Sequence, residues 1–345
     1  MKGKTVMEEI RSTQVVLASR PHGVPVKENF AFETVKLPEP KSGEVLIKIL
    51  YLSLDPYMRQ RMSDEPSYDE PVAIGDVMIG GTVGEVVSSN HKDFKKGDKV
   101  LSASGWQSYS IEKGEKLKKL DNFDAPLSTA LGILGMPGFT AYAGMRNIGK
   151  PKKGETVVVA AATGTVGSMV GQLAKIAGAK AVGIAGGPEK CSFGRDVLGF
   201  DVMLDHRNTD FAERLAKACP EGIDVYYENV GGKVWDAVFS LLNPFARIPV
   251  CGLIAQYNGV KNTGHEVDRV PQLMRAILIK SLLVRGFIER EFEQQRPEFI
   301  VQAQEWLKKG HLKYREDITE GLENAPEAFI GLLQGKNFGK VIIRL

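Results

Sequence analysis

The sequence predicts an α/β protein: a doubly wound parallel sheet joined to a second, β-rich domain. Three observations lead there. Residues 156–161 (TVVVAA) form a nearly unbroken, partly β-branched apolar run, which suits a strand buried on both faces of a parallel sheet. From Glu155 onward strand-like and helix-like segments alternate, the pattern of right-handed βαβ units. Before about Asp121 the chain instead reads as short strands broken by Pro and Gly.

Taken in order, residues 15–18, 44–50, 84–87 and 99–101 read as strands, separated by punctuation such as Leu37-Pro38-Glu39-Pro40 and Lys96-Gly97-Asp98. Gly80-Gly81-Thr82-Val83-Gly84 superficially resembles a nucleotide loop, but it runs into a strand rather than a helix and reads as a strand bend. The basic cluster at 113–119, interrupted by Gly114 and Glu115, reads as a solvated loop. Near Leu131 the texture changes. Strands are expected at 156–161, 181–185, 202–204, 224–229, 246–251 and 282–287. Helices are expected at 189–198, 210–218, 233–242 and 297–309. The closing Lys340-Val341-Ile342-Ile343-Arg344 is again strand-like, so the domain expectation is 1–131, 132–309, and a return over 310–345 to the first domain.

Between the strand at 156–161 and the helix that follows lies Ala162-Thr163-Gly164-Thr165-Val166-Gly167. Val166, Met169, Val170, Leu173 and Ala177 recur at helical spacing, and Gly178 stands where a glycine ends a helix. Gly164 lets the backbone approach an anion, Gly167 lets the helix pack on the strand, and the helix N-terminus offers unpaired N–H groups. Ala162 replaces the first glycine of the dinucleotide fingerprint, and small residues also serve plain strand-to-helix packing. The placement between strand and helix favours a pyrophosphate seat. The expected second strand ends Ala181-Val182-Gly183-Ile184-Ala185-Gly186-Gly187-Pro188, without the acid that takes ribose hydroxyls in NAD sites. Lys190 follows as a candidate partner for a 2′-phosphate, although by itself such a residue is more often a surface lysine; the missing acid is the stronger half of the argument, and NADPH is the expected nucleotide.

Composition sets the outer limits. With 345 residues, 43% hydrophobic and 25% charged, the chain is long enough for two domains. Its 45 basic and 42 acidic residues leave a net charge of +3, too little field to hold nucleic acid or an anionic membrane. No apolar stretch approaches the ~20 residues that span a bilayer, and Met1-Lys2-Gly3-Lys4 lacks a signal-peptide core, so a cytoplasmic protein is expected. Cys191, Cys219 and Cys251 share no metal-type spacing, and no metal site is expected.

Six ordered strings carry a resemblance. Tyr51-Leu-Ser-Leu-Asp-Pro-Tyr-Met-Arg59, Gly135-Met-Pro-Gly-Phe-Thr-Ala-Tyr142, Ala161-Ala-Thr-Gly-Thr-Val-Gly167, Glu228-Asn-Val-Gly-Gly232, Cys251-Gly-Leu-Ile-Ala-Gln-Tyr-Asn258 and Gly335-Lys-Asn-Phe-Gly-Lys340 resemble the zinc-independent medium-chain dehydrogenases/reductases. Within them the chain is similar to the prostaglandin/leukotriene reductases and plant alkenal double-bond reductases. Residues 62–68 and 322–339 resemble most the bacterial NADPH-dependent curcumin reductase branch. Where zinc-dependent relatives carry a Cys ligand and a Gly-His-Glu motif, this chain has Leu52-Ser-Leu-Asp-Pro and Ile79-Gly-Gly-Thr-Val.

The resemblance implies a GroES-like catalytic domain, a Rossmann domain, a homodimer, and NADPH-dependent reduction of the C=C bond of an enone or alkenal. It implies cofactor contacts at Gly164, Thr165, Val166, Gly167, Lys190, Asn229, Cys251, Gly252, Leu253, Ile254, Tyr257, Phe287, Ile288 and Asn337. A position that is commonly Tyr in the relatives falls on His206, next to Arg207. Tyr57 and Tyr257 are the candidate groups for stabilising charge on the substrate oxygen or relaying a proton; the alternative is that each lines an apolar pocket. Asp55 reads as shaping a turn. Arg59 and Arg61 either meet an anionic substrate tail or are solvated, and His22 and His91 read as solvent-facing. An NADPH-dependent quinone reductase and a non-enzymatic NADPH-binding sensor are the alternative functions.

Overall fold

The computed structural model describes residues 9–121, 123–259 and 269–345, so the polar residues 1–4 lie outside the described residues. The chain forms two compact units. One comprises the residues up to Leu131 with Ile318–Lys336 and Val341–Leu345; the other comprises Gly132–Asp317 with Asn337–Lys340.

The first unit opens with β1 (Arg11–Leu17) and β2 (Phe30–Lys36), paired antiparallel. Next comes β3 (Glu44–Ser53), whose alternate residues Val45, Ile47 and Ile49 are wholly buried and pack with Val86 and Val100. After β3 the Ser53 hydroxyl donates to the Asp55 carboxylate, and the Met58 N–H donates to the Asp55 carbonyl at 3.1 Å. That turn starts α1 (Tyr57–Arg61).

Arg59 and Arg61 are not solvated, being only 5% and 9% exposed. Arg59 Nη2 donates to Gly23 O at 2.9 Å, while Arg61 Nη1 donates to Glu70 O at 2.6 Å and Nη2 meets Asp69 at 2.9 Å. Their partners lie elsewhere in the chain, so local sequence gives no sign of them.

Strands β4 (Thr82–Ser89), β5 (Lys99–Ser102), β6 (Tyr109–Lys113) and β7 (Lys118–Lys119) extend the sheet from β3. Pairing between β3 and β4 slips by one residue between Ile49 and Tyr51, opposite Gly84 and Val83, the bend expected there. Residues 113–119 are largely solvated, with Lys113, Glu115, Lys116 and Lys118 exposed, but they are not a plain loop. They form a 3₁₀ turn and then β7, with Lys119 paired to Asp98 at 2.8 Å. His91 is half-buried against Phe94 and Gly114 rather than solvent-facing, whereas His22 is exposed.

The second unit begins with α2 (Met136–Gly144), followed by β8 (Thr156–Ala160), α3 (Thr165–Ile176), β9 (Lys180–Ala185), α4 (Pro188–Asp196) and β10 (Val202–Asp205). It continues through α5 (Phe211–Ala218), β11 (Ile223–Tyr227), α6 (Gly232–Phe239), β12 (Leu242–Val250), α7 (Val270–Lys280), β13 (Leu283–Gly286) and α8 (Arg296–Lys308). The six strands are parallel in the order β10-β9-β8-β11-β12-β13. That order reverses between β8 and β11, and right-handed crossovers therefore place helices on both faces.

The helix expected over 233–242 is shorter, because α6 stops at Phe239 and Leu242 belongs to the next strand. Leu242 pairs with Ile223 as the first residue of β12, and the strand then bulges through Phe245, whose φ is 63°, before pairing resumes at Arg247. Helices α2 and α7 had no counterpart in the expected pattern. Helix α2 is apolar nearly all round and so lacks the one-sided period that marks an amphipathic helix, whereas α7 carries Gln272 and Arg275 on a polar side.

The second unit runs past α8 to Asp317, so the chain re-enters the first unit at Ile318 rather than at residue 310. Strands β14 (Glu316–Glu320) and β15 (Lys340–Arg344) complete its sheet in the order β14-β15-β3-β4-β5-β7, with β6 also paired to β3. Between them α9 (Ala325–Leu333) sets Phe329 edge-on to Phe30 and Trp106.

Candidate active site

In an open parallel sheet the ligand crevice lies beyond the C-terminal strand ends, where the strand order reverses. Here that point is the pair β8 and β11. Beyond β8 the backbone turns through Ala161, at φ 52°, and enters α3 at Gly164 with no side chain capping the helix. A methyl group on Gly164 would meet only Ala161 O, at 3.4 Å, and otherwise face open space. One on Gly167 would collide with the Ala161 carbonyl. The turn thus presents Thr165, Val166 and the open Gly164 backbone at a helix N-terminus, a fit for a pyrophosphate.

Across the reversal, Asn229 Nδ2 donates to Ala160 O at 2.9 Å and ties the end of β11 to the end of β8. Beside it the 251–257 loop is stitched on by backbone bonds: Ile254 N–H to Asn229 O at 3.2 Å and Ala255 N–H to Val230 O at 3.0 Å. Within this loop the Tyr257 phenol oxygen accepts the Leu253 N–H at 3.3 Å and lies close to Gly252. Burial pushes the Cys251 thiol up to about 12, with the Tyr227 phenol beside it pulling the other way, so it is no thiolate at neutral pH. Tyr227 itself donates to Thr140 O at 2.9 Å.

A second cluster forms at the ends of β9 and β10. Pairing of Asp205 with Ala185 brings residues 206–207 alongside Gly186 and Gly187. A methyl group built on Gly186 would lie 2.9 Å from Arg207 Nε and 3.0 Å from His206 Nε2. Lys190, half-buried on α4, joins them: burial, then the Arg207 charge, hold its ammonium below the ordinary value, against Asp317 and Glu189. His206 keeps much of its surface open. Desolvation, with Arg207 and Lys190 nearby, holds its imidazole below the usual value despite Asp205. The Asp205 carboxylate is engaged by the N–H groups of Arg207 and Gly187. Two cations, Lys190 and Arg207, with the His206 imidazole as a further hydrogen-bonding group around a glycine pair, suit a doubly charged phosphate.

Other residues singled out by the sequence lie further along. Phe287, just after β13, is buried edge-on to Tyr227, and the Ile288 N–H donates to Glu291 at 2.8 Å. Asn337 donates from Nδ2 to Gly339 O at 2.9 Å, within a segment where Arg315 stacks on Phe338 at 3.9 Å. Tyr57 belongs to the first unit, on the opening turn of α1 and half-buried against the core around Leu52 and Met58. Sequence reasoning gave Arg207 no role of its own, because its position depends on the β9–β10 pairing. It also missed the Glu228 carboxyl, which is buried at the reversal point.

Residues 13–120 match the family model described as N-terminal domain of oxidoreductase, and residues 165–303 the one described as zinc-binding dehydrogenase. Among the described residues no group of three or more His, Cys, Asp or Glu is placed to hold a metal ion. The chain is 58% identical over 336 residues to the NADPH-dependent curcumin reductase of Escherichia coli K12, covering 97% of each. It is 41% identical over 342 residues to the NADP(+)-dependent 2-alkenal reductase of Nicotiana tabacum, covering 97% of this chain and 98% of that one. The crystal structure of CurA in complex with NADPH from Vibrio vulnificus matches with a TM-score of 0.93 and 54% identity, over 97% of this chain and 99% of that one. With the strand order, the turn after β8 and this kinship over nearly its whole length, the chain belongs to the zinc-independent medium-chain dehydrogenase/reductase family.

Proposed function

We propose that this protein is an NADPH-dependent reductase of the carbon–carbon double bond of α,β-unsaturated ketones and aldehydes, curcumin-type enones and 2-alkenals among them. The observation that carries the reading is the presence, on one sheet, of an open glycine turn at the strand-order reversal and of the Lys190, His206 and Arg207 cluster beyond the next two strands, β9 and β10. The first suits a pyrophosphate and the second the 2′-phosphate that distinguishes NADPH from NADH. The activities named for the bacterial and plant relatives supply the substrate class.

In this reading Gly164, Thr165, Val166 and Gly167 hold the pyrophosphate. Asn229, Cys251, Gly252, Leu253, Ile254, Tyr257, Phe287, Ile288 and Asn337 complete the cofactor seat. NADPH, when bound, supplies the hydride that goes to the β-carbon, and a proton then adds at the α-carbon. The chain's part is to stabilise the charge that builds on the carbonyl oxygen, for which a phenol O–H suffices without a metal. Tyr57 and Tyr257 are assigned that role, and by accepting the Leu253 N–H the Tyr257 hydroxyl becomes a stronger donor.

The protein is further read as a cytoplasmic homodimer. A reducing compartment suits Cys191, Cys219 and Cys251, all unpaired with one another, and the outward apolar face of α7 with the edge strand β13 suits a second copy of this chain.

Incubation with 2-alkenals, enones, curcumin and quinones, with NADPH and NADH in parallel and products read by mass spectrometry, tests the reading. The expected product is the saturated ketone or aldehyde, formed with NADPH in preference to NADH, and Arg207→Ala is expected to erode that preference. Turnover of quinones alone would make it a quinone reductase, and stoichiometric NADPH binding without turnover a sensor. Tyr57→Phe and Tyr257→Phe are each expected to lower kcat/KM; unchanged values in both would remove the tyrosines from the chemistry.

A further inference from the structure

Glu228 directly follows β11 at the strand-order reversal and is 2% exposed. One of its oxygens, Oε1, accepts three hydrogen bonds: from the Val230 N–H at 2.7 Å, the Gly231 N–H at 2.9 Å and the Tyr226 phenol at 3.0 Å. Three donors converging on one oxygen are the environment of a carboxylate anion. Burial is the largest influence and holds the acid's pKa above the ordinary carboxyl value, with the Val230 and Gly231 N–H groups and the Tyr226 phenol pulling the other way; what fixes the turn is the convergence of these three donors on one oxygen. Gly231, at φ 78°, gives the turn a backbone shape that other residues adopt only under strain.

The turn then passes its shape on. Glu228 O accepts the N–H groups of Cys251 (2.9 Å) and Gly252 (3.2 Å). Asn229 O and Val230 O accept those of Ile254 (3.2 Å) and Ala255 (3.0 Å), and Gly231 lies against Leu253. One buried side chain therefore sits at the root of both loops that border the crevice on the β11–β12 side. Without it the N–H groups of Val230 and Gly231 and the Tyr226 hydroxyl would lose their shared acceptor.

We propose that Glu228 is a positioning residue for the cofactor, its carboxylate holding the 229–232 turn and, through it, the 251–257 loop in the shape that seats the nicotinamide half of NADPH. The inference rests on the NADPH reading above. It does not involve the Lys190, His206 and Arg207 cluster, which lies beyond the ends of β9 and β10.

That separation gives the test. Glu228→Ala and Glu228→Gln, in the full chain, are titrated with NADPH and with adenosine 2′,5′-bisphosphate, which keeps the 2′-phosphate and lacks the nicotinamide. NADPH affinity is expected to fall by about tenfold or more in Glu228→Ala, the scale of one lost buried bond to a charged group. The fall should be smaller in Glu228→Gln, which retains an acceptor oxygen, while affinity for the bisphosphate stays near wild type in both. The KM for NADPH should rise together with a fall in kcat. Equal weakening of both ligands would mean general damage and would overturn the proposal, as would unchanged NADPH binding. If Glu228→Ala does not fold, the same comparison in Glu228→Gln decides the matter. A wild-type protein that binds neither ligand would overturn the NADPH reading, and with it this role for Glu228.

Discussion

Gly164 and Gly167 stand three residues apart on the same turn and are glycine for different reasons. At Gly164 an added methyl group would point into open space, where only a ligand would meet it; at Gly167 it would strike the Ala161 carbonyl. Gly164→Ala is therefore expected to leave the melting temperature nearly unchanged while lowering NADPH affinity by about tenfold or more. Gly167→Ala is expected to destabilise the fold by roughly 1–3 kcal/mol through overpacking. Denaturation curves set beside NADPH titrations of both variants check this, and a Gly164→Ala variant as unstable as Gly167→Ala would contradict it. The missing first glycine also finds its explanation here. The left-handed backbone of the turn falls on Ala161, at φ 52°, and not on Ala162, whose conformation asks for no glycine.

At the scale of elements, β12 is anchored across the sheet to the approach to β8 by Arg247 and Glu155. Arg247 meets Glu155 at 2.5 Å and donates to Gly149 O and Lys150 O at 2.9 and 3.1 Å, with both charged side chains largely buried. Burial pushes the Glu155 carboxyl up, but Arg247 and the Lys152 N–H outweigh it and hold its pKa below the ordinary value. A depressed carboxylate stabilises the fold above its unfolded pKa and loses that contribution as pH falls through the depressed value. Glu155→Gln is thus expected to cost about 1–3 kcal/mol near neutral pH. The difference from wild type should shrink on going to about pH 3.5, measured by urea denaturation; a difference independent of pH would rule the mechanism out.

The same scale shows what sequence could reveal. Strands buried on both faces, such as β8, announce themselves as apolar runs, and α3 and α5 announce themselves by a one-sided period. Helix α2 did not, being apolar on every side, and the β12 bulge at Phe245 was hidden because nothing local signals a register shift; α7 does carry a one-sided pattern, with Gln272 and Arg275 on its polar side. For the candidate site, the glycine turn and Lys190 were legible as local motifs. Arg207 and Glu228 were not, since the role of each is set by a partner strand or loop that only the folded sheet brings alongside.

For the whole molecule the open question is its assembly surface. Helix α7 turns Ala276 and Ile277 toward the core of its unit, yet on its outer side Val270 is 62% exposed and Leu278 79%, and Met274 is open as well. Edge strand β13 carries exposed Leu283 and Val284, and among the described residues no strand pairs with its outer side. An apolar helix beside an unpaired sheet edge is a surface that soluble proteins cover. Light scattering is expected to give the mass of a dimer for the wild type and of a monomer for Met274→Glu/Leu278→Glu. A wild-type monomer, or a double variant that stays dimeric, would refute this surface.

The return of the chain through β15 bears on how the protein is made. Residues 51–53 of β3 pair with residues 342–344 of β15, nearly three hundred positions later, and among the described residues β14 joins the sheet through β15. During synthesis the second unit has almost all of its residues outside the ribosome while the first still lacks one side of its sheet. The half of the protein that emerges first is therefore the last to close, and until the final strand arrives its open edge needs protection from other nascent chains.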